Sequence, residues 1–348
     1  MQSGLPRNKE LRISSGGQTT TFSRIEPARK MGEENVMTEQ NHGGTDKAQN
    51  KTSAKQKKPS SAYRKLRRKL VQSRLRVPID WLHHRNFLPS DVFLGSYPKS
   101  GITWTRFVLF EILSGLQAGF KSINQLMPGV GRHTKAMRLL PGGGRLVCTH
   151  EQYHKDYHRA IYVVRDARDA LLSEFAFLRA LDFFRGDLDQ FISHFLFTPV
   201  SAYGWGPWQR HVCSWLDSPI AGTENLLLMH YEDLRQNPVA GFSRIVEFLG
   251  VDADREKIER AIANNSMQNM REKERKEPFR PAMKGPFVRE GAVRGWVSKL
   301  SPAQVRLIEQ HAGNALLRLG YPLSSQLRAE EALHPVAINQ ASDTRCSA

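Results

Sequence analysis

The stretch GSYPKSGITW, residues 95–104, places a single lysine, Lys99, between Gly95 and Gly101, where an apolar run gives way to helical periodicity. A strand, a glycine-bracketed loop and a helix present backbone N–H groups at a helix N-terminus, which suits an anionic phosphate group. Lys99 adds a point charge to that cradle. The common nucleotide loop, G-x-x-x-x-G-K-[ST], carries its lysine directly after the last glycine and its Mg²⁺-holding hydroxyl directly after the lysine. Here Lys99 precedes Gly101 and Pro98 stiffens the turn, which argues against an ordinary ATPase, GTPase or P-loop small-molecule kinase. Among the 12 histidines, His150 stands apart, because it lies at the C-terminal end of an apolar strand, where α/β proteins bind ligands. Cys148, two residues earlier, reads as a small buried hydrophobe rather than a nucleophile. No Asp, Glu, His or Cys grouping has metal-ligand spacing, so no metal is expected.

These residues need a scaffold, and the sequence offers alternating elements. DVFLGSY (91–97), RLVCTH (145–150), AIYVVR (160–165) and NLLLMHY (225–231) are short apolar strands. TWTRFVLFEILSGL follows the first with helical periodicity, and DARDALLSEFAFLRAL follows the third with aspartate at its start. PVAGFSRIVEFLG is a helix ended by Gly250. The last helix has Ser301 as N-cap, Pro302 at its first position, Gln304 completing a capping box, and Gly320 and Pro322 as its stop. Such alternation predicts an α/β fold: one domain with a central parallel sheet flanked by helices, carrying a P-loop-like loop.

The chain of 348 residues has a formal net charge of +17. Residues 1–76 hold 18 Lys/Arg against 6 Asp/Glu, a net of +12, so the basic character belongs mostly to an N-terminal arm. Its polar, low-complexity composition predicts disorder over 1–60, with Met31 and Met37 as alternative starts to Met1. A short basic helix is expected over 63–76, suited to an anionic surface. Interleaved aromatics are missing apart from Phe22 and Tyr63, so specific nucleic-acid binding is not expected. A folded domain over 77–325 and a flexible tail over 326–348 complete the division. Three scattered cysteines, no long apolar run and no secretory h-region predict a cytoplasmic protein, at most peripheral at a membrane.

The loop resembles YPKSGTTW, the signature of the cytosolic sulfotransferases, which use the donor 3′-phosphoadenosine 5′-phosphosulfate (PAPS). Of eight positions compared, only Ile102, for threonine, differs. VVRDARDALLS is similar to the family's VxRNxxDxxxS, which implies Arg165 and Ser173 at the donor's 3′-phosphate. FVREGAVRGWVSKLS resembles RKGxxGDW, implying Arg289, Glu290 and Gly291 there too, with Glu290 in place of a lysine. The resemblance covers roughly 78–322 and is looser between 105 and 140; YEDLRQNP (231–238) and FLG (248–250) are further marks, read as structural. It implies that Lys99, Ser100, Gly101, Ile102, Thr103 and Trp104 cradle the phosphosulfate. Trp104 would stack on adenine, with Gln209, Asn265 and Met267 as further candidates for the base pocket.

The family's base is the histidine of KTHxP, which implies that role for His150, and a near-neutral pKa would suit it. The lysine of that motif is Cys148 here, which implies either lower turnover or that Arg106, Arg145 or a loop lysine supplies the charge. The implied reaction is in-line transfer of a sulfuryl group from PAPS to an acceptor hydroxyl, with Lys99 stabilising the leaving adenosine 3′,5′-bisphosphate (PAP). The acceptor is a small molecule, lipid or glycan. Its pocket is expected from 118–142, 175–205 and 272–288, which are rich in aromatics such as Phe175, Phe177, Phe183, Phe184, Phe191, Phe195, Phe197, Tyr203 and Trp205. A non-catalytic scaffold retaining the fold is the alternative, supported by Cys148 and Glu290.

Overall fold

The computed structural model describes residues 12–15, 18–21, 81–197 and 205–327. In the N-terminal arm, strands β1 (Arg12–Ser15) and β2 (Gln18–Thr21) pair antiparallel, where composition predicts no regular structure. Consecutive threonines favour a strand, and the sequence sets Gly16–Gly17, a hairpin dipeptide, between the two. The basic helix expected at 63–76 and the tail from 328 onward lie outside the described residues.

The main unit is built on a five-stranded sheet in the order β4-β5-β3-β6-β7. Strands β3 (Val92–Ser96), β5 (Gly144–Thr149), β6 (Ala160–Val164) and β7 (Leu226–His230) run parallel. Each coincides with one of the apolar runs. The sheet is mixed rather than wholly parallel, because β4 (Arg138–Leu140) adds an antiparallel edge. With three residues, that strand is too short to show in the hydrophobic pattern.

Full burial of β3, β5 and β6 follows from helices on both sheet faces. Alternate residues Ala160, Tyr162 and Val164 join a core with α3 (Ala167–Ala180), α4 (Leu188–Phe197), α5 (Trp208–Leu216) and α10 (Pro302–Arg318). Their neighbours Ile161 and Val163 are equally buried on the other face. A second group packs together from α1 (Ile102–Ser114), α6 (Tyr231–Gln236), α7 (Pro238–Phe248) and α8 (Arg255–Asn264). Helices α2 (Phe120–Leu126) and α9 (Met267–Lys276) are also present. The capping box at Ser301 and Gln304 forms as its spacing predicts.

Two buried arginines hold the frame. Arg145 donates to Asp91 at 2.9 Å and to the carbonyls of His133 and Asn86. Arg168, 1% exposed, pairs with Asp166 at 2.6 Å and Glu309 at 2.7 Å. Its guanidinium also lies 3.9 Å from the Trp296 ring centroid, tying α3 to α10 and to the 295–298 turn.

Candidate active site

Because four strands are parallel, their C-terminal ends share one edge of the sheet, and the residue or loop after each one meets at the same cleft. After β3 comes the 97–101 loop, after β5 His150, after β6 Arg165, and after β7 Tyr231. This is the edge at which open α/β sheets bind ligands. The cleft measures about 450 Å³, and its lining includes Lys99, Gly101, Ile102, Thr103, Trp104, His150, Arg165, Ser173, Arg289, Glu290 and Gly291. Every residue expected in the phosphosulfate and 3′-phosphate cradle or as the general base, except Ser100, is thus brought to one cavity. Ser100 is fully buried beneath it, and its hydroxyl has no partner.

Lys99 is held in the left-handed region (φ 68°), a conformation costly for a side-chain-bearing residue and common where function needs it. Its Nζ lies 4.2 Å from the centroids of both the Phe177 and the Phe287 rings. Burial, then the charges of Arg289 and Arg165, push its pKa down to about 7, against the opposing pull of Glu174 and Glu274. Three cations gathered closely enough to discharge one of them form a place that an anion would relieve. Orphaned donors fit the same group, since the buried Arg165 Nε and Ser100 hydroxyl lack partners.

Arg165 does more than wait for a phosphate. It donates to the carbonyls of Lys99 (2.9 Å) and Ala292 (2.7 Å), pinning the 97–101 loop to the 289–292 loop. Of the neighbouring carboxylates, Asp166 is engaged with Arg168, whereas Asp169 accepts from the Trp296 backbone N–H at 2.9 Å through one oxygen and leaves the other without a partner in the field of Arg165. Tyr231 wedges between the same two loops. A Cβ on Gly101 (φ 91°) would strike its ring, and one on Gly291 (φ 58°) would come within 2.7 Å of its hydroxyl. That hydroxyl donates to the Gly291 carbonyl at 3.1 Å, and the Arg165 guanidinium lies 4.7 Å from the ring centroid. Glu290 does not discharge the cradle, because its carboxylate is held by Lys299 at 2.6 Å.

His150 Nδ1 lies 2.9 Å from the Ser96 carbonyl, its shorter contact, and 3.3 Å from the Ser96 hydroxyl. A carbonyl can only accept, so Nδ1 carries the proton and Nε2 keeps its lone pair. Its pKa is not near neutral, as the sequence suggests, but lowered to about 4: burial dominates, and the charges of Arg106 and Lys99 add to it. Glu151 turns away, binding His84 at 3.0 Å and Tyr157 at 2.5 Å.

Cys148 is buried in β5, outside the cleft lining, and burial raises its pKa. Of the cations that could replace the lysine expected there, Arg145 is spent on Asp91. Arg106 donates to the carbonyls of Ile123 (3.0 Å) and Met127 (2.5 Å). Lys99 lines the cleft itself.

Trp104 lines the cleft with its Nε1 donating to the Asn265 carbonyl at 2.9 Å. Asn265 itself is consumed by Glu111, Ala261 and Lys273, and Gln209 binds the Leu196 carbonyl; neither reaches the cleft, whereas Met267 does. The aromatic wall is narrower than the sequence suggests. Phe175, Phe177 and Trp205 line the cleft, joined by Phe279 and Phe287. Phe183, Phe184, Phe191 and Phe195 instead pack with the core between α3 and α4, and segment 118–142 contributes no lining residue. Tyr203 lies outside the described residues. Tyr231 and Arg235 are cleft residues that the sequence reading left in a structural segment, although the position of Tyr231 directly after an apolar strand was a usable signal. Among the described residues, no three His, Cys, Asp or Glu side chains gather as a metal-holding group.

The model of the family described as "Sulfotransferase domain" matches residues 89–320. The mouse (Mus musculus) protein "Sulfotransferase 1 family member D1" is 26% identical over 248 residues, covering 64% of this chain and 82% of the relative. "Cytosolic sulfotransferase 1" of Danio rerio is 27% identical, covering 65% and 83%. Among solved structures, a mouse sulfotransferase complexed with PAP superposes with a TM-score of 0.52 at 23% identity, covering 73% of this chain and 92% of that one. A retinol dehydratase in complex with retinol and PAP gives 0.55 at 19% identity, covering 68% and 84%.

Proposed function

The chain belongs to the sulfotransferase domain family, and on that premise we propose that it moves a sulfuryl group from PAPS to a hydroxyl on an apolar or aromatic acceptor, with His150 as general base. The observation that carries this reading is the His150 tautomer. With Nδ1–H committed to the Ser96 carbonyl, Nε2 is a proton acceptor in the same cleft as Lys99. When bound, PAPS supplies the sulfuryl group, and PAP departs with the electron pair of the broken S–O bond.

The residues of the chain do the rest. Lys99, with the N-terminal backbone of α1 at 101–104, would hold the phosphosulfate end and steady the charge that grows on the leaving phosphate. Arg165, Ser173 and Arg289 would hold the 3′-phosphate, and Trp104 would stack on the base. Nε2 of His150 takes the acceptor's hydroxyl proton. A pKa of about 4 makes His150 a weak base in the free protein. The donor's negative charges beside it would raise that value toward neutrality and thereby switch the base on when the donor is present. Phe175, Phe177, Trp205, Phe279 and Phe287 favour an apolar body on the acceptor.

His150→Ala tests the reading. Transfer of labelled sulfate from PAPS into phenol and sterol acceptors should be lost, while thermal stabilisation by PAP persists. Stronger stabilisation by ATP–Mg²⁺ than by PAP would point instead to a kinase, and none by either to a scaffold.

A further inference from the structure

The chain flanking His150 is gripped from one side by a single helix face. On α5, His211 and Trp215 lie one helical turn apart, so both side chains leave the same face. His211 Nε2 donates to the carbonyl of His150 at 3.1 Å, and Trp215 Nε1 donates to the next carbonyl, Glu151, at 3.1 Å. Ser214 adds a third hold, its hydroxyl accepting from the Tyr153 N–H at 3.0 Å. Strand β5 ends at Thr149, so the sheet ladder does not fix these carbonyls and the helix takes its place.

The grip is itself set by burial. His211 is fully buried, and burial drives its pKa down to about 3, so it is neutral. Since Nε2–H serves a carbonyl, Nδ1 must accept, and Tyr162 on β6 supplies the donor at 2.9 Å. The Trp215 ring stacks on Tyr162 (4.8 Å between centroids) and lies close against β3, where a Cβ on Gly95 would come within 2.7 Å of it. His150 is therefore anchored at two points, one on its ring and one on its backbone. Its Nδ1 is bound to β3 through Ser96, and its own carbonyl is bound through His211 to β6.

We propose that His211 and Trp215 are positioning residues of the sulfuryl transfer, the face of α5 that fixes the backbone at His150, and through it the ring's contact with the Ser96 carbonyl that sets its tautomer, without touching either substrate. Neither residue lines the cleft, so both act through His150. This inference rests on the proposed role of His150, and its test therefore includes a readout independent of turnover.

The variants are His211→Leu, which removes the donor, His211→Gln, which keeps an N–H near the Nε2 position, and Trp215→Phe, which keeps a ring and removes its N–H. Ring-¹⁵N spectra of histidine-labelled protein should show a single Nδ1-protonated tautomer for His150 in the wild type. His211→Leu should show exchange between tautomers, and His211→Gln should restore the single form. In sulfuryl transfer, kcat should fall about 10- to 100-fold in His211→Leu, the scale of a small misplacement of a reacting group. His211→Gln should recover most of that loss, and PAP affinity should hold within about 2-fold throughout. Trp215→Phe should show a smaller kcat loss in the same direction. An unchanged His150 tautomer in His211→Leu, a glutamine variant no better than leucine, or a loss of PAP affinity in step with kcat would each overturn the inference. A wild type that transfers no sulfuryl group, yet shows the tautomer exchange on His211→Leu, would overturn the proposed function and leave the positioning intact.

Discussion

The neutral fraction of Lys99 gives the cradle a signature that calorimetry can read. Its pKa of about 7 in the free protein reflects burial and the charges of Arg289 and Arg165. A bound bisphosphate reverses the sign of the nearby field and should return the ammonium toward its ordinary value near 10.4. At about pH 8 a group of pKa ~7 is roughly one-tenth protonated, so binding of PAP should draw up about 0.9 proton. At about pH 6 the lysine is already roughly nine-tenths protonated and should contribute only about 0.1. Phosphate groups, with a second pKa near 6, are ionised at about pH 8 and release no proton there, so the uptake at the higher pH is the diagnostic reading. PAP affinity should consequently fall by up to about tenfold per pH unit above ~7. Titrations in two buffers of different ionisation enthalpy give the proton count directly. Lys99→Met, which keeps length without charge, should remove the uptake at the higher pH. Tight PAP binding with no uptake at about pH 8 would refute the account of Lys99, as would uptake that persists in Lys99→Met.

Glu174→Gln should move the proton-uptake curve to lower pH, because the carboxylate of Glu174 supports the charge on Lys99; the same titrations check it. Arg168→Met should destabilise the fold by about 3–5 kcal/mol in urea unfolding, since it strips a buried partner from Asp166 and Glu309. Acid should weaken the fold through His150 and His211, whose folded pKa values of about 4 and about 3 lie below the ordinary imidazole value of 6.5. Their neutral forms contribute stability that is fully present above about 6.5 and is lost as pH falls toward the folded values, so His150→Gln should flatten the acid side of a stability–pH profile. Gly101→Ala should weaken PAP binding at least tenfold in thermal-shift titrations, because Tyr231 must move to admit the methyl group.

The strands were legible because burial on both faces leaves an uninterrupted apolar run, as in AIYVVR, which became β6. The 97–101 loop between strand and helix was legible because glycine and proline each have a local conformational meaning. What escaped depended on distant neighbours. The depressed pKa of His150 comes from burial beneath Trp205 and the charges of Arg106 and Lys99, which no spacing encodes. Arg165 announced a guanidinium at a strand end, but not that two of its N–H groups hold carbonyls from residues 99 and 292. Edge strand β4 has only three residues, too few for a period to show. Aromatic count alone could not separate Phe177, which faces Lys99, from Phe191, which faces the core.

Tyr231 joins three residues that are far apart in the chain into one unit of inheritance. Its ring needs glycine at 101, its hydroxyl needs glycine at 291, and either glycine is free to change only if the tyrosine shrinks first. A lineage drifting toward a new acceptor can therefore alter the aromatic wall one residue at a time. On the proposed assignment, the donor side offers no such gradual path, since each single step at Gly101 or Gly291 passes through a clash. Change in what the cleft accepts should accordingly outrun change in what it uses as donor, and an engineer redirecting this scaffold would do best to leave that triad alone.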